Sequence, residues 1–222
     1  LKTALDQVPM DQVEAVIAIL QQARLIGQQI FIMGNGGSAS TASHFVCDLA
    51  KNTRQEGWPG FRVIGLTDNM AIFSAYANDE GYENVFAKQL ANPVRPRDVV
   101  IAISGSGNSM NVIKAVELAN KTGALTIGFT GLTGGKLRDI AHMNIHIPCD
   151  SIEQVEDIHL VLEHMIVSTI KTMDNPLMLT SPSIQIPVLE NEEGNGLVYE
   201  LFGGKKPITT TPMLQPSPDL FH

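Results

Sequence analysis

The stretch Phe31-Ile-Met-Gly-Asn-Gly-Gly-Ser38-Ala-Ser-Thr-Ala-Ser-His44-Phe-Val-Cys-Asp48 decides how this 222-residue chain is read. An apolar run enters a turn of glycine and serine, and the turn opens a helix. Amide N–H groups at a helix start lack intrahelical partners, and the helix dipole favours an anion there. His44 and Asp48 follow four apart, on one helix face. One short segment thus encodes an anion cradle and two groups suited to metal or proton chemistry.

Working outward, short apolar runs recur at Gln29–Met33, Arg62–Leu66, Val99–Ser104, Leu125–Thr130 and Asn144–Pro148. They are rich in β-branched residues and nearly continuous, as in strands covered on both faces. Helical patterns lie between them, over 38–51, 69–77, 80–91, 108–122 and 134–141. An amphipathic helix over 3–27 precedes them, and a long helix over 152–174 follows, with Val155, Ile158, Leu162 and Ile166 on its apolar side. The alternation predicts an α/β fold: a doubly wound, five-stranded parallel sheet of flavodoxin-like order with helices on both faces. This domain is expected to span 1–174. Seven of the twelve prolines fall in 175–222, which reads as an irregular Pro-rich extension with short extended segments at Ser183–Leu189 and Gly196–Phe202.

Fifteen basic against 23 acidic residues give a net charge of −8, which argues against a nucleic-acid partner. No apolar run approaches the roughly 18–20 residues needed to span a membrane. Cys47 and Cys149 make no disulfide framework; each reads as a small buried hydrophobe, and a cytoplasmic setting is expected.

A second strand–turn–helix unit reads Val99-Val-Ile-Ala-Ile-Ser104-Gly-Ser106-Gly-Asn-Ser109. In an open parallel sheet, ligands bind beyond the carboxyl ends of strands where strand order reverses. With the first and third strands flanking that reversal, both turns face one crevice. Neutral hydroxyls and helix starts suit a phosphate group. A dinucleotide is the rival, since Gly34-Asn-Gly36-Gly-Ser-Ala39 fits the G-x-G-x-x-G/A pattern. Asp68, however, lies 34 residues beyond Gly34 (68 − 34), against roughly 20 in dinucleotide sites.

The strings Gly34-Asn-Gly-Gly-Ser-Ala-Ser40, His44-Phe45, Ala77-Asn-Asp79, Ile103-Ser-Gly-Ser-Gly-Asn-Ser109 and Ile158-His-Leu-Val-Leu-Glu-His164 resemble the SIS (sugar isomerase) domains. Within these, residues 1–174 look most like the bacterial phosphoheptose isomerases. The resemblance implies conversion of sedoheptulose 7-phosphate, a phosphorylated seven-carbon sugar, to D-glycero-D-manno-heptose 7-phosphate. It also implies a homotetramer in which the first and last helices form a central bundle and the sites lie at subunit interfaces.

Residue by residue, the resemblance places the phosphate on Ser104, Ser106 and Ser109. It gives Ser38, Asn35 and Gly36 to the ligand in the first turn and Asp79 to a substrate contact. His44, Asp48, Glu156 and His164 become donors to one divalent ion, expected to be Zn2+. Asp48 is the implied general base and His164 the implied general acid. Three departures stand out: Asp48 replaces a glutamate, Glu156 replaces a glutamine, and Asn52 stands where the family has an arginine.

The chemistry is consistent with these assignments. Enediol isomerisation needs a base to carry a proton between C1 and C2, and an acid or cation at the oxygens where charge develops. The alternative is a non-catalytic SIS protein, either a regulator that binds a replication initiator or a sugar-phosphate sensor. Retention of Asp48, Glu156 and His164 together favours the enzyme.

Overall fold

The computed structural model describes residues 1–173; the expected extension and its two extended segments lie outside the described residues. Five strands form one parallel sheet: β1 (Gln29–Gly34), β2 (Arg62–Gly65), β3 (Val99–Ser104), β4 (Leu125–Thr130) and β5 (Met143–His146). Their order is β2-β1-β3-β4-β5. The reversal falls between β1 and β3, where Ile30 pairs with Val99 and Gly34 with Ile103. The flavodoxin-like sheet expected from the sequence is therefore present, and the two Ser/Gly turns leave adjacent strands at the same edge.

The helices are α1 (Lys2–Leu5), α2 (Met10–Ile26), α3 (Gly37–Cys47), α4 (Met70–Glu80), α5 (Val85–Ala91), α6 (Met110–Thr122), α7 (Gly135–Ile140) and α8 (Ile152–Thr172). The single helix expected over 3–27 is split. Pro9 stands at the N-cap of α2, where its missing N–H costs nothing, whereas inside a helix it would break the ladder. Gly81 (φ +89°) ends α4 in a conformation open chiefly to glycine, and a 3-10 turn, Tyr82–Asn84, leads into α5.

Side chains alternate across the sheet and fill two cores. Ile30, Ile32, Ile101, Ile103 and Phe129 pack with Val16 and Leu20 of α2, Phe45 of α3, and Ile158, Leu162 and Ile166 of α8. Phe31, Met33, Val100 and Ala102 pack on the opposite side with Phe86, Leu90, Val112 and Val116 from α5 and α6. The first core matters most for function, because it holds α3 against α8.

Both cysteines depart from the expected buried state: Cys47 is exposed and Cys149 half-buried. Cys47 sits on the outer face of α3, immediately before Asp48, which turns inward. Among the described residues, no helix is long and apolar enough to cross a membrane.

Candidate active site

α3 does not continue as an α-helix to residue 51. Asp48–Asn52 forms a π-helical turn, a form that appears mostly as single turns and often at functional sites. Asp48 is buried, and Asn52 Nδ2 donates to its Oδ1 at 2.6 Å. Asn52, at the position of the family's arginine, thus fixes the carboxylate by a neutral amide.

The turn is tied down from outside. The Thr53 amide donates to the Asp48 carbonyl at 3.2 Å, and Thr53 Oγ1 donates to the Leu49 carbonyl at 2.7 Å. Arg24 of α2 donates from Nη2 to the Thr53 carbonyl (3.0 Å) and from Nε to the Pro59 carbonyl (2.6 Å). Its guanidinium lies 4.5 Å from the Trp58 ring centroid and 4.9 Å from that of Phe61. Trp58 is accordingly an anchor of the loop.

Packing of α3 on α8 gathers His44, Asp48, Glu163 and His164, with one possible ligand atom from each lying within 4.8 Å of the others. His44 Nε2 is 3.7 Å from Asp48 Oδ1, and His164 Nε2 is 3.4 Å from Glu163 Oε2. The two imidazoles meet edge to face with centroids 5.0 Å apart. Three of the four expected donors are therefore together.

The fourth, Glu156, is not in the group. It lies eight residues before His164 on α8, about 12 Å along the axis. Its carboxylate rests against Gly37 at the start of α3, where any β-carbon would collide with it. Glu163 takes its place, and the sequence reading missed it. This side chain has no exposed surface, and neither oxygen makes a well-formed hydrogen bond. Burial, with the adjacent Asp48 carboxylate, pushes its acid up to about 8. The donor chemistry suits a divalent ion of the zinc type, with two imidazoles and two carboxylates. The orphaned oxygens of Glu163 suit it as well.

At the carboxyl end of β3, Ser104 is buried and its Oγ lies 3.4 Å from Ser109 Oγ and accepts from the Gly107 amide at 3.2 Å. Ser106 Oγ accepts from the Asn108 amide at 3.2 Å. Gly107 (φ +65°) passes so close to Gly134 that a β-carbon would overlap the Gly134 carbonyl. The three serines thus lie on one tightly folded turn before α6.

In the first turn, Ser38 is buried near the start of α3 and Gly36 (φ +57°) is exposed. Asn35 exchanges two 2.9 Å hydrogen bonds with buried Asn111, and Tyr82 Oη donates to Asn35 Oδ1 at 2.8 Å. Asn111 and Tyr82 are further residues the sequence reading missed. Asn111 ties the first turn to the start of α6, and Tyr82 ties it to the segment after α4. Asp79 is exposed on α4 and accepts from Asn78 Nδ2 at 2.7 Å, outside the His/carboxylate group.

A parallel sheet with Ser/Gly turns at its order reversal, and a His/carboxylate group between α3 and α8, is the arrangement expected of an SIS domain. The SIS domain model matches residues 1–131, and the chain belongs to that family. Among its relatives is the phosphoheptose isomerase of Geotalea daltonii, 39% identical over 155 residues that cover 70% of this chain and 80% of the relative. That of Aquifex aeolicus is 35% identical over 172 residues, 78% and 90% of the two chains. The solved phosphoheptose isomerase of Francisella tularensis superposes with a TM-score of 0.72 at 26% identity, covering 77% of this chain and 90% of the other.

Proposed function

We propose that this chain is an aldose–ketose isomerase that converts sedoheptulose 7-phosphate to D-glycero-D-manno-heptose 7-phosphate through an enediol. The observation that carries this reading is the meeting of Asp48 and His164 between α3 and α8, in a sheet whose order reversal carries two Ser/Gly turns. The relatives named above support the substrate. Ser104, Ser106 and Ser109 hold the phosphate through neutral donors and the start of α6. Asn35, Gly36 and Ser38 face the sugar chain, and Asp79 contributes a further contact.

In the reaction, Asp48 accepts the proton at C1 of the ketose and returns it at C2. Asn52 keeps the carboxylate aimed. His164 moves a proton between the two oxygens of the enediol. Proton transfers of this kind contribute about 10²–10⁴-fold each. A divalent ion, Zn2+ in this reading, held by His44, Asp48 and His164, would supply charge stabilisation at those oxygens.

The protein acts in the cytoplasm as a homotetramer in this proposal. α4 buries none of its residues in the single chain, and Met70 and Ile72 stand exposed on it, as expected of a surface covered by another subunit. The test is incubation of purified protein with sedoheptulose 7-phosphate, with and without added Zn2+, following heptose 7-phosphate. Turnover is expected; none under either condition refutes the assignment.

A further inference from the structure

Glu163 is a residue the proposed chemistry does not use, and its placement is costly unless something compensates it. It projects inward from the middle of α8 with no exposed surface and with neither oxygen in a well-formed hydrogen bond, Oε2 lying 3.4 Å from His164 Nε2. Among the described residues, the titratable groups gathered around it are Asp48, itself buried, His44 and His164. Among the described residues, the ion-pair partners of Asp48 and Glu163 are His164 and His44 alone. Two ionised carboxylates buried side by side without lysine or arginine are strongly disfavoured, because desolvation and mutual repulsion add. A dication between them would remove both penalties.

The geometry admits one. The four donor atoms lie within 4.8 Å of one another. Donors around an ion bonded at about 2.1 Å stand roughly 3.4 Å apart, so small side-chain rotations close the site. Glu156 has a different setting. Its carboxylate fills the space that Gly37 leaves at the start of α3, about two helical turns from His164.

We propose that Glu163, rather than Glu156, is the second carboxylate donor to a divalent transition-metal ion held by His44, Asp48 and His164. This rests on the reading of the α3–α8 junction as a metal-assisted isomerase centre. The change also accounts for Asp48. A shorter side chain at that position leaves room for a carboxylate arriving from α8. The ion would be of a class that accepts mixed nitrogen and oxygen donors, such as Zn2+ or Co2+.

The test uses the full chain, stripped with a chelator and titrated with Co2+ and Zn2+, for wild type, Glu163→Ala, Glu163→Gln and Glu156→Ala. Affinity is read by calorimetry and donor set by the visible spectrum of bound Co2+. Glu163→Ala is expected to weaken binding at least about tenfold and to change the spectrum. Glu156→Ala should stay within about threefold of wild type with the spectrum unchanged, since losing a residue away from the ion leaves the donors in place. Glu163→Gln keeps shape and an oxygen donor while losing charge, so a weakened site in this folded variant excludes misfolding as the cause. Loss of binding in Glu156→Ala with Glu163→Ala unaffected would overturn the proposal and leave metal assistance standing. A wild type that isomerises without binding either ion would overturn metal assistance itself, and the proposal with it.

Discussion

Replacing His159 with leucine should alter the acid stability of the protein. His159 lies in α8 with no exposed surface, its ring centroid 6.0 Å from that of Phe129. Neither ring nitrogen has a well-formed hydrogen bond, although the nearby Thr130 carbonyl slightly favours the charged form. Burial dominates and pulls its pKa from 6.5 to about 4. The sign follows from linkage. Below 6.5 the unfolded chain takes up a proton that the folded chain refuses, so stability falls as pH drops from 6.5 towards 4. It is fully present above 6.5 and levels off below about 4.

Between about pH 7.5 and about pH 5, this one group removes about 2 kcal/mol from the folded state. Leucine has similar volume and no titration, so His159→Leu should lose about 2 kcal/mol less than wild type over that interval. The assay is urea unfolding of both proteins at both pH values and one protein concentration. With a slope of about 2 kcal/mol per molar urea, the two midpoints should diverge by about 1 M at the lower pH. Other histidines that burial holds neutral, such as His142, titrate in both proteins and cancel. Parallel loss of stability in wild type and variant would refute the reasoning.

Three further outcomes are expected at the site. Asp48→Asn keeps the Asn52 contact in reach but removes the base; kcat for sedoheptulose 7-phosphate should fall about 10²–10⁴-fold in a steady-state assay, with circular dichroism unchanged. Ser104→Ala removes an acceptor for the Gly107 amide and a phosphate donor, and KM should rise by about tenfold or more, corresponding to about 1.5–3 kcal/mol for a bond to a charged group. Gly107→Ala drives a β-carbon into the Gly134 carbonyl at a positive φ. It should cost about 2 kcal/mol or more in stability, read by thermal unfolding, while Gly36→Ala, with open space at its β-carbon, should cost less.

The parts of this fold that were legible in the sequence are those set by periodic burial. Ile30, Ile32, Val99, Ile101 and Ile103 sit in strands covered on both faces, and their β-branched runs say so. Motif spacing likewise revealed His44, Asp48 and the three serines of the second turn. The π-turn at Asp48–Asn52 was not legible, because an i→i+5 bond leaves no mark in composition. Glu163 carried a signal that went unused: it stands four after His159 and three before Ile166, on the inward face of α8. An acidic residue at an inward position next to a candidate ligand was its one trace. The Asn35–Asn111–Tyr82 lock depends on chain crossings that only the folded sheet creates.

Arg24 gives the first long helix a share in the chemistry that its place in the chain conceals. α2 lends no side chain to the His/carboxylate group. Yet the Asp48 carbonyl is two hydrogen bonds away from Arg24, by way of Thr53. A shortened protein beginning at β1 would retain the sheet residues and each proposed donor, but the turn that aims Asp48 would have lost its outer brace. If Asp48 is the base, as proposed, the smallest unit able to isomerise a sugar phosphate reaches back through α2, well upstream of the first proposed substrate contact.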